Sequence, residues 1–255
     1  MIIKKEFIYL KKEYGYILIV YILMQLSALA AFPLLLPLGQ AMGIDRPTII
    51  RFLPGYWNVF SFSVALIIIW ILLRKANERE LERMGQPLSP LLSAIWAVAG
   101  VFLAMFAQNI AVMIETMLGI EMGSENTETI MSVVEIVPAM MIVVAIIGPI
   151  LEEIVFRKVI FGSLYRKYSF WVSALISSAI FSIVHLEPEH FLIYASMGFT
   201  FAFLYVKTKR LIVPIFAHVA MNSLVILIQY FYADDIERIR REAEQIQSFA
   251  AWLLW

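Results

Sequence analysis

The sequence contains no cysteine and only three histidines, His185, His190 and His218, among its 255 residues. The lack of cysteine excludes disulfide bonds, thiolate metal sites and a cysteine nucleophile. Any metal site would have to use histidine and carboxylate ligands. Charged residues are also scarce, at 16% of the chain, and a formal net charge of zero gives no reason to expect a nucleic-acid partner.

Apolar sequence is what the chain has in abundance. Hydrophobic residues make up 62% of it, and its mean hydropathy of +0.83 lies outside the range of soluble domains. No internal repeat, low-complexity tract or soluble domain is visible. We therefore expect a single integral membrane domain over residues 1–255 that is embedded in the lipid bilayer as an all-α bundle.

The apolar runs predict about seven transmembrane helices. They cover residues 16–38, 56–73, 91–118, 130–165, 170–186, 191–206 and 211–232. Pro138, Gly148 and Pro149 interrupt the long fourth segment, which predicts a kink before residue 152. Residues 39–55 are expected to form a loop and residues 166–169 a turn. Residues 234–247 predict an amphipathic helix on the membrane surface, with a solvated or partner-binding helix as the alternative.

Basic residues orient the predicted bundle. With a cytoplasmic N-terminus, 15 of the 20 lysines and arginines lie in inside segments, and the outside loops hold only Arg46 and Arg51. The positive-inside rule therefore predicts a multi-pass cell-membrane protein whose N-terminus is cytoplasmic. The loop that follows the third span is rich in glutamate and has no lysine or arginine.

The fourth predicted helix carries Glu152, Glu153 and Arg157 in an otherwise apolar segment. A lipid-facing Glu or Arg at the membrane centre costs about 2.5 to 3.5 kcal/mol, so these groups should be buried and should mark a functional site. A snorkelling helix end is the alternative, but it fits the two glutamates poorly. The four-residue spacing of Glu153 and Arg157 predicts an ion pair. Glu152 is rotated from Glu153 by about 100° and stays free for chemistry.

Two further pairs of residues share a helix face at the same spacing. They are Phe181 with His185 on the fifth predicted helix and His218 with Asn222 on the seventh. The midpoint of residues 152 and 185 falls in the turn at 166–169, so Glu152 and His185 should lie at similar depth on adjacent helices. His218 lies about 12 Å along its helix from Arg210, which predicts a site nearer the basic side of the bundle.

Taken in order, these motifs resemble those of the CPBP intramembrane proteases, a family that includes the type II CAAX prenyl endopeptidases and bacteriocin-immunity relatives. Glu152-Glu153-x-x-x-Arg157, Phe181-x-x-x-His185 and His218-x-x-x-Asn222 correspond to its three motifs. The resemblance is carried by residues 130–230, and the short chain is more similar to the bacterial members. It implies an intramembrane endopeptidase that cuts a peptide or membrane-protein substrate.

The resemblance also implies roles for the motif residues. Glu152 would be the general base, His185 would help to hold the water, and His218 with Asn222 would stabilise the oxyanion. The supporting residues would be Glu153, Arg157 and Phe181.

Two routes of water activation remain open under this resemblance. Zinc held by Glu152, His185 and His218 would leave one coordination position for water. We favour a metal-free glutamate mechanism, because the His-Glu-x-x-His helix is absent and a zinc-bound Glu152 could not straightforwardly act as the base.

Two other functions use the same residues differently. A noncatalytic immunity or scaffold protein would keep the motifs for packing. A transporter would use the buried carboxylates as a proton or ion pathway, although the sequence has no inverted repeat of the kind common in transporters. The sequence does not indicate the substrate, its prenylation or the oligomeric state.

Overall fold

The structure, a computed structural model, describes residues 12–76 and 85–233, together with residues 235, 238, 239, 241, 242 and 245. Regular secondary structure within these residues is helical, as the sequence predicts. Five of the described helices are long and apolar enough to cross a membrane, and residues Phe170–Ile183 form a shorter apolar helix. The N-terminal lysines at 4, 5 and 11 and most of the predicted tail helix lie outside the described residues.

Within the described residues, eight helices make up the bundle. They are α1 (Lys12–Ala41), α2 (Arg46–Lys75), α3 (Pro90–Met117), α4 (Glu125–Ile136), α5 (residues 140–165), α6 (Phe170–Ile183), α7 (Phe191–Thr208) and α8 (Ile212–Phe231). A 3₁₀ turn, Pro188–His190, precedes α7. Seven of these helices correspond to the predicted spans, and α4 is the additional one.

The predicted loop over residues 39–55 is wrong, because α1 continues to Ala41 and α2 already begins at Arg46. The Asp45 side chain accepts a hydrogen bond from the Thr48 amide at 3.0 Å and caps α2. Pro47 follows in the first turn, where a missing amide hydrogen costs nothing. A cap followed by proline is a helix start signal, and it lies ten residues before the predicted start of the span.

The predicted fourth span is two helices rather than one kinked helix. Ser124 caps α4 by accepting a hydrogen bond from the Thr127 amide at 3.0 Å. This helix ends at Ile136, and α5 starts two residues after Pro138. The residue before a proline is biased away from helical geometry, so Pro138 breaks the helix completely.

Helix α5 lies at the centre of the bundle. It packs against α1, α2, α6, α7 and α8. Its side chains Phe156 and Phe161 are buried, whereas much of α1 exposes leucine and isoleucine side chains suited to lipid. The bundle therefore encloses the helix that carries the ionisable groups, as the cost of charges in lipid requires.

The two ends of the bundle differ in charge. The basic end contains residues 85–89, 166–169 and 209–211, and Arg210 Nε donates there to the Leu88 carbonyl at 2.9 Å. The acidic end contains residues 118–124 and 184–190. There Ser124 Oγ donates to Glu187 at 2.8 Å and ties these two segments together.

Candidate active site

His218 on α8 lies between the two glutamates of α5. Its Nδ1 atom is 2.9 Å from Glu153 Oε1, and its Nε2 atom is 3.7 Å from Glu152 Oε2. Because Nδ1 faces a carboxylate oxygen, it carries a hydrogen, and Nε2 is the atom turned toward Glu152. The ring also stacks on Phe201 with a centroid distance of 4.6 Å. These contacts fix the imidazole in one orientation beside Glu152.

Arg157 forms the ion pair that its spacing from Glu153 predicts. Its Nε atom lies 3.1 Å from Glu153 Oε2, and both side chains are 0% exposed. The rings of Phe181 and Phe201 lie 4.7 and 5.4 Å from the guanidinium carbon. Within the described residues, the two Nη atoms have no hydrogen-bond partner, so ring faces surround the part of the cation that the carboxylate does not reach.

Asn222 is placed by an irregularity in the backbone of α5. The turns over Val143–Ile147 are π-helical, and the Gly148 amide donates to the Val143 carbonyl. Pro149 has no amide hydrogen, so the Val144 carbonyl has no donor from the next turn of its own helix. Asn222 Nδ2 donates to this carbonyl at 3.3 Å. The proline of α5 thereby creates the acceptor that holds the Asn222 side chain.

His185 lies just beyond the end of α6. Its Nδ1 atom is 2.7 Å from the Phe181 carbonyl oxygen, so Nδ1 is the donor and Nε2 is free to face solvent or substrate. Its ring stacks on Tyr194 of α7 with a centroid distance of 4.0 Å and an interplanar angle of 24°. His185 is thus held by Phe181 and Tyr194 rather than by Glu152.

One cavity brings the four candidate catalytic residues together. It has a volume of about 610 Å³, and its lining includes Glu152, His185, His218 and Asn222. Glu152 retains 19% exposure of its side chain, whereas Glu153 is fully buried. Of the two glutamates, Glu152 is therefore the one whose carboxylate reaches the cavity.

The cavity also reaches the acidic end, where Ser124, Asn126 and Leu186 belong to its lining. The described residues of the basic end do not contribute to it. The expectation of a site nearer the basic side concerned depth, and His218 does lie six residues after the start of α8 at Ile212. The distance along one helix reports the depth of His218 but not the direction in which the cavity extends.

Sequence reasoning missed a buried polar network at the acidic end. Glu115 accepts hydrogen bonds from the amides of Leu192 and Ile193 at 2.9 and 3.2 Å, and lies 2.9 Å from His190 Nδ1. It therefore caps α7 from the end of α3. The sequence feature that could have indicated this network is His190, which directly precedes the predicted span over residues 191–206.

Glu187 is the second centre of that network. It accepts hydrogen bonds from the Tyr194 hydroxyl, the Ser124 hydroxyl and the Asn126 amide. Burial opposes its ionisation, but these hydrogen bonds together hold the pKa of Glu187 below its ordinary value. Its charged form therefore joins α4, α7 and the segment after α6.

The donors in the site do not fit a metal ion. No three His, Asp or Glu side chains within the described part of the chain are grouped so that they could hold one. Glu152 and His218 approach each other, but the hydrogen-bond and ring contacts of His185 are with Phe181 and Tyr194. Glu152, His185 and His218 therefore do not form a zinc ligand set in this geometry.

Comparison with known proteins agrees with the three motifs. Residues 135–224 match the family described as type II CAAX prenyl endopeptidase Rce1-like. YdiL of Bacillus subtilis (strain 168), named provisionally as a membrane peptidase, is 48% identical over 92% of this chain and 94% of its own length. The membrane-embedded CAAX protease MroQ of Staphylococcus aureus (strain USA300) is 33% identical over 89% and 93%. No solved structure matches the chain significantly. This chain belongs to the CPBP family of membrane-embedded peptidases.

Proposed function

We propose that this membrane peptidase cuts an extended peptide segment by a glutamate-activated water. The observation that carries the proposal is the placement of Glu152, whose carboxylate reaches the cavity 3.7 Å from His218 Nε2. That gap is too long for a direct hydrogen bond and leaves both groups able to contact a water or a carbonyl oxygen. Glu153 is occupied by Arg157 and His218, so it supports the site rather than reacting.

The proposed reaction follows from these positions. Glu152 removes a proton from the water, whose oxygen forms a bond with the peptide carbonyl carbon. His218 acts here with a hydrogen on both ring nitrogens, one donated from Nδ1 to Glu153 and the other from Nε2 to the carbonyl oxygen of the substrate. This Nε2 hydrogen and the second amide hydrogen of Asn222 stabilise the charge on that oxygen. Protonated Glu152 then transfers its proton to the departing amine as the C–N bond breaks. His185 contributes its free Nε2 atom to orient the water.

Side-chain amides in the cavity support a peptide as the substrate. Asn58, Gln108 and Gln229 line the cavity from α2, α3 and α8, and no side-chain hydrogen bond to another described residue satisfies them. Each amide offers a donor and an acceptor, as does each peptide bond. Unpaired amides at membrane depth are costly. A substrate backbone, or water before it binds, would satisfy them.

We also propose a cytoplasmic N-terminus, which would turn the cavity toward the outer face. The basic end carries arginine and lysine near tryptophans, with the Arg74 guanidinium 3.7 Å from the Trp70 ring. Because the chain has no cysteine, single Lys167→Cys and Glu121→Cys variants can be labelled selectively in intact cells. A membrane-impermeant maleimide should label Glu121→Cys at once and Lys167→Cys only after permeabilisation. The reverse pattern would invert the proposed orientation.

The test of the proposed function compares peptide termini in membranes from cells that express wild type or Glu152→Gln at equal levels. Wild type should generate new termini that the variant does not. Glu121→Gln makes the same chemical change in an exposed loop and should behave as wild type. Identical termini in wild-type and Glu152→Gln membranes would instead support a noncatalytic scaffold that keeps the motifs for packing.

A further inference from the structure

The ring of His185 is held between two aromatic side chains. Phe181 lies on one side with a centroid distance of 4.6 Å and a tilt of 59°, and Tyr194 stacks at 4.0 Å. Beyond the end of α6 at Ile183, the His185 amide donates to the Ser182 carbonyl at 3.1 Å and the Leu186 amide to the Ile183 carbonyl at 3.2 Å. These hydrogen bonds hold the backbone, whereas the orientation of the imidazole depends on the hydrogen bond between Nδ1 and the Phe181 carbonyl and on the two ring contacts.

The backbone changes direction directly after His185. The next residue, Leu186, has a φ of 59°, in the left-handed region that a branched residue adopts only under constraint. Leu186 is 84% exposed, so its own packing does not impose this conformation. Leu186 therefore turns the chain between His185 and Glu187, whose side chains are both held by hydrogen bonds.

Glu187 connects Tyr194 to the rest of the acidic end. It accepts the Tyr194 hydroxyl hydrogen bond while also accepting from the Ser124 hydroxyl at 2.8 Å and the Asn126 amide at 2.8 Å. The Tyr194 phenol is thus anchored at its hydroxyl, and its ring face is left to lie against the imidazole. An anchored ring limits rotation of its stacked neighbour more than a free ring would.

We infer that Tyr194, anchored by Glu187, is a positioning residue that acts together with Phe181 to hold His185 in its working orientation in the cavity. Neither Tyr194 nor Glu187 belongs to the three motifs. The inference relies on the proposed function for the catalytic role of His185, but the contact itself can be tested without a substrate. Loss of the ring should let the imidazole rotate about its side-chain bonds, and displacements of about 1 Å can lower turnover on the order of 100-fold.

Nuclear magnetic resonance of histidine-labelled protein tests the contact directly. With only three histidines in the chain, the His185 ring signal can be assigned by its absence in His185→Gln. The Tyr194 ring should shift this signal upfield through its ring current. Tyr194→Phe should keep that shift, because the ring remains, whereas Tyr194→Leu should lose it. An unchanged signal in Tyr194→Leu would overturn the inference.

Turnover separates positioning from a general loss of structure. Tyr194→Leu should lower kcat by about tenfold or more while KM changes less than about twofold, and Tyr194→Phe should restore most of kcat. Tyr165→Leu is the matched control, because Tyr165 stacks on Phe161 at 5.3 Å outside the cavity lining. Equal losses of kcat in Tyr194→Leu and Tyr165→Leu would overturn the inference.

The two measurements also distinguish this inference from the proposed function. If wild type cleaves no peptide but Tyr194→Leu loses the upfield shift of the His185 signal, the contact between the two rings is supported and the peptidase mechanism is rejected. Normal turnover by Tyr194→Leu would reject the positioning role and leave the mechanism intact. Glu187→Leu should reproduce part of the Tyr194→Leu change in the His185 signal, since it releases the phenol without removing the ring.

Discussion

Replacing Arg157 with leucine should destabilise the fold strongly. The guanidinium and the Glu153 carboxylate are both fully buried, with Nε and Oε2 3.1 Å apart. Removing one partner of a buried ion pair leaves an uncompensated charge and typically costs about 3 to 5 kcal/mol. The lost contacts with the rings of Phe181 and Phe201 act in the same direction. We therefore expect the free energy of unfolding of Arg157→Leu to fall by about 3 to 5 kcal/mol.

A double-mutant cycle tests the physical reason for this loss. Glu153→Gln combined with Arg157→Leu removes both charges, while the glutamine oxygen can still accept the hydrogen bond from His218 Nδ1. The double variant should therefore be more stable than the sum of the single losses predicts, by about 1 to 3 kcal/mol.

Unfolding of purified protein in mixed micelles, followed by the fluorescence of its six tryptophans, measures each free energy. A loss below about 1 kcal/mol for Arg157→Leu, or strictly additive losses in the cycle, would refute the reasoning.

Three further predictions use the same unfolding measurement. Asn222→Leu leaves the Val144 carbonyl of α5 without its donor and should lower the free energy of unfolding by about 1 to 3 kcal/mol. This loss should be smaller in a Pro149→Ala background, because the alanine amide can donate to the same carbonyl. An equal loss in both backgrounds would contradict the explanation that Pro149 leaves that carbonyl without a donor from its own helix. Gly198→Ala places a methyl group 3.0 Å from the α6 backbone and should cost about 1 to 3 kcal/mol, whereas Gly15→Ala meets nothing within 4 Å and should be neutral or stabilising. The lowered pKa of Glu187 means that its stabilisation is complete above about pH 4.3, the ordinary value for glutamate, and is lost as the pH falls through its lower folded pKa. Glu187→Gln should therefore show a smaller fall in melting temperature between about pH 5 and pH 3 than wild type.

The helices of the bundle were predictable because apolar length and charge placement are local signals. The turn at residues 166–169 and the α3 span lie close to their predicted bounds. The early start of α2 was missed because hydropathy finds the apolar part of a helix, whereas Asp45 and Pro47 start it in a more polar segment. Pro138 was misjudged because proline alone does not distinguish a kink from a break.

The site was only partly predictable for a related reason. Spacing predicts the Glu153–Arg157 ion pair, since both residues lie on one helix. It cannot predict that His218 contacts both glutamates or that Asn222 donates to α5, because these contacts depend on how α8 packs against an irregular backbone. Tyr194 and Glu187 carry no motif, and only the folded chain brings them to His185.

Turnover by Glu152→Gln tests the central claim most directly. Purified wild type and variant would be compared on the peptide identified from membranes, at matched folded fractions measured by tryptophan fluorescence. Loss of a general base should lower kcat by about 10² to 10⁴-fold, because glutamine keeps the shape of the side chain but cannot take the proton from water. Cleavage by Glu152→Gln within about threefold of wild type would contradict the account.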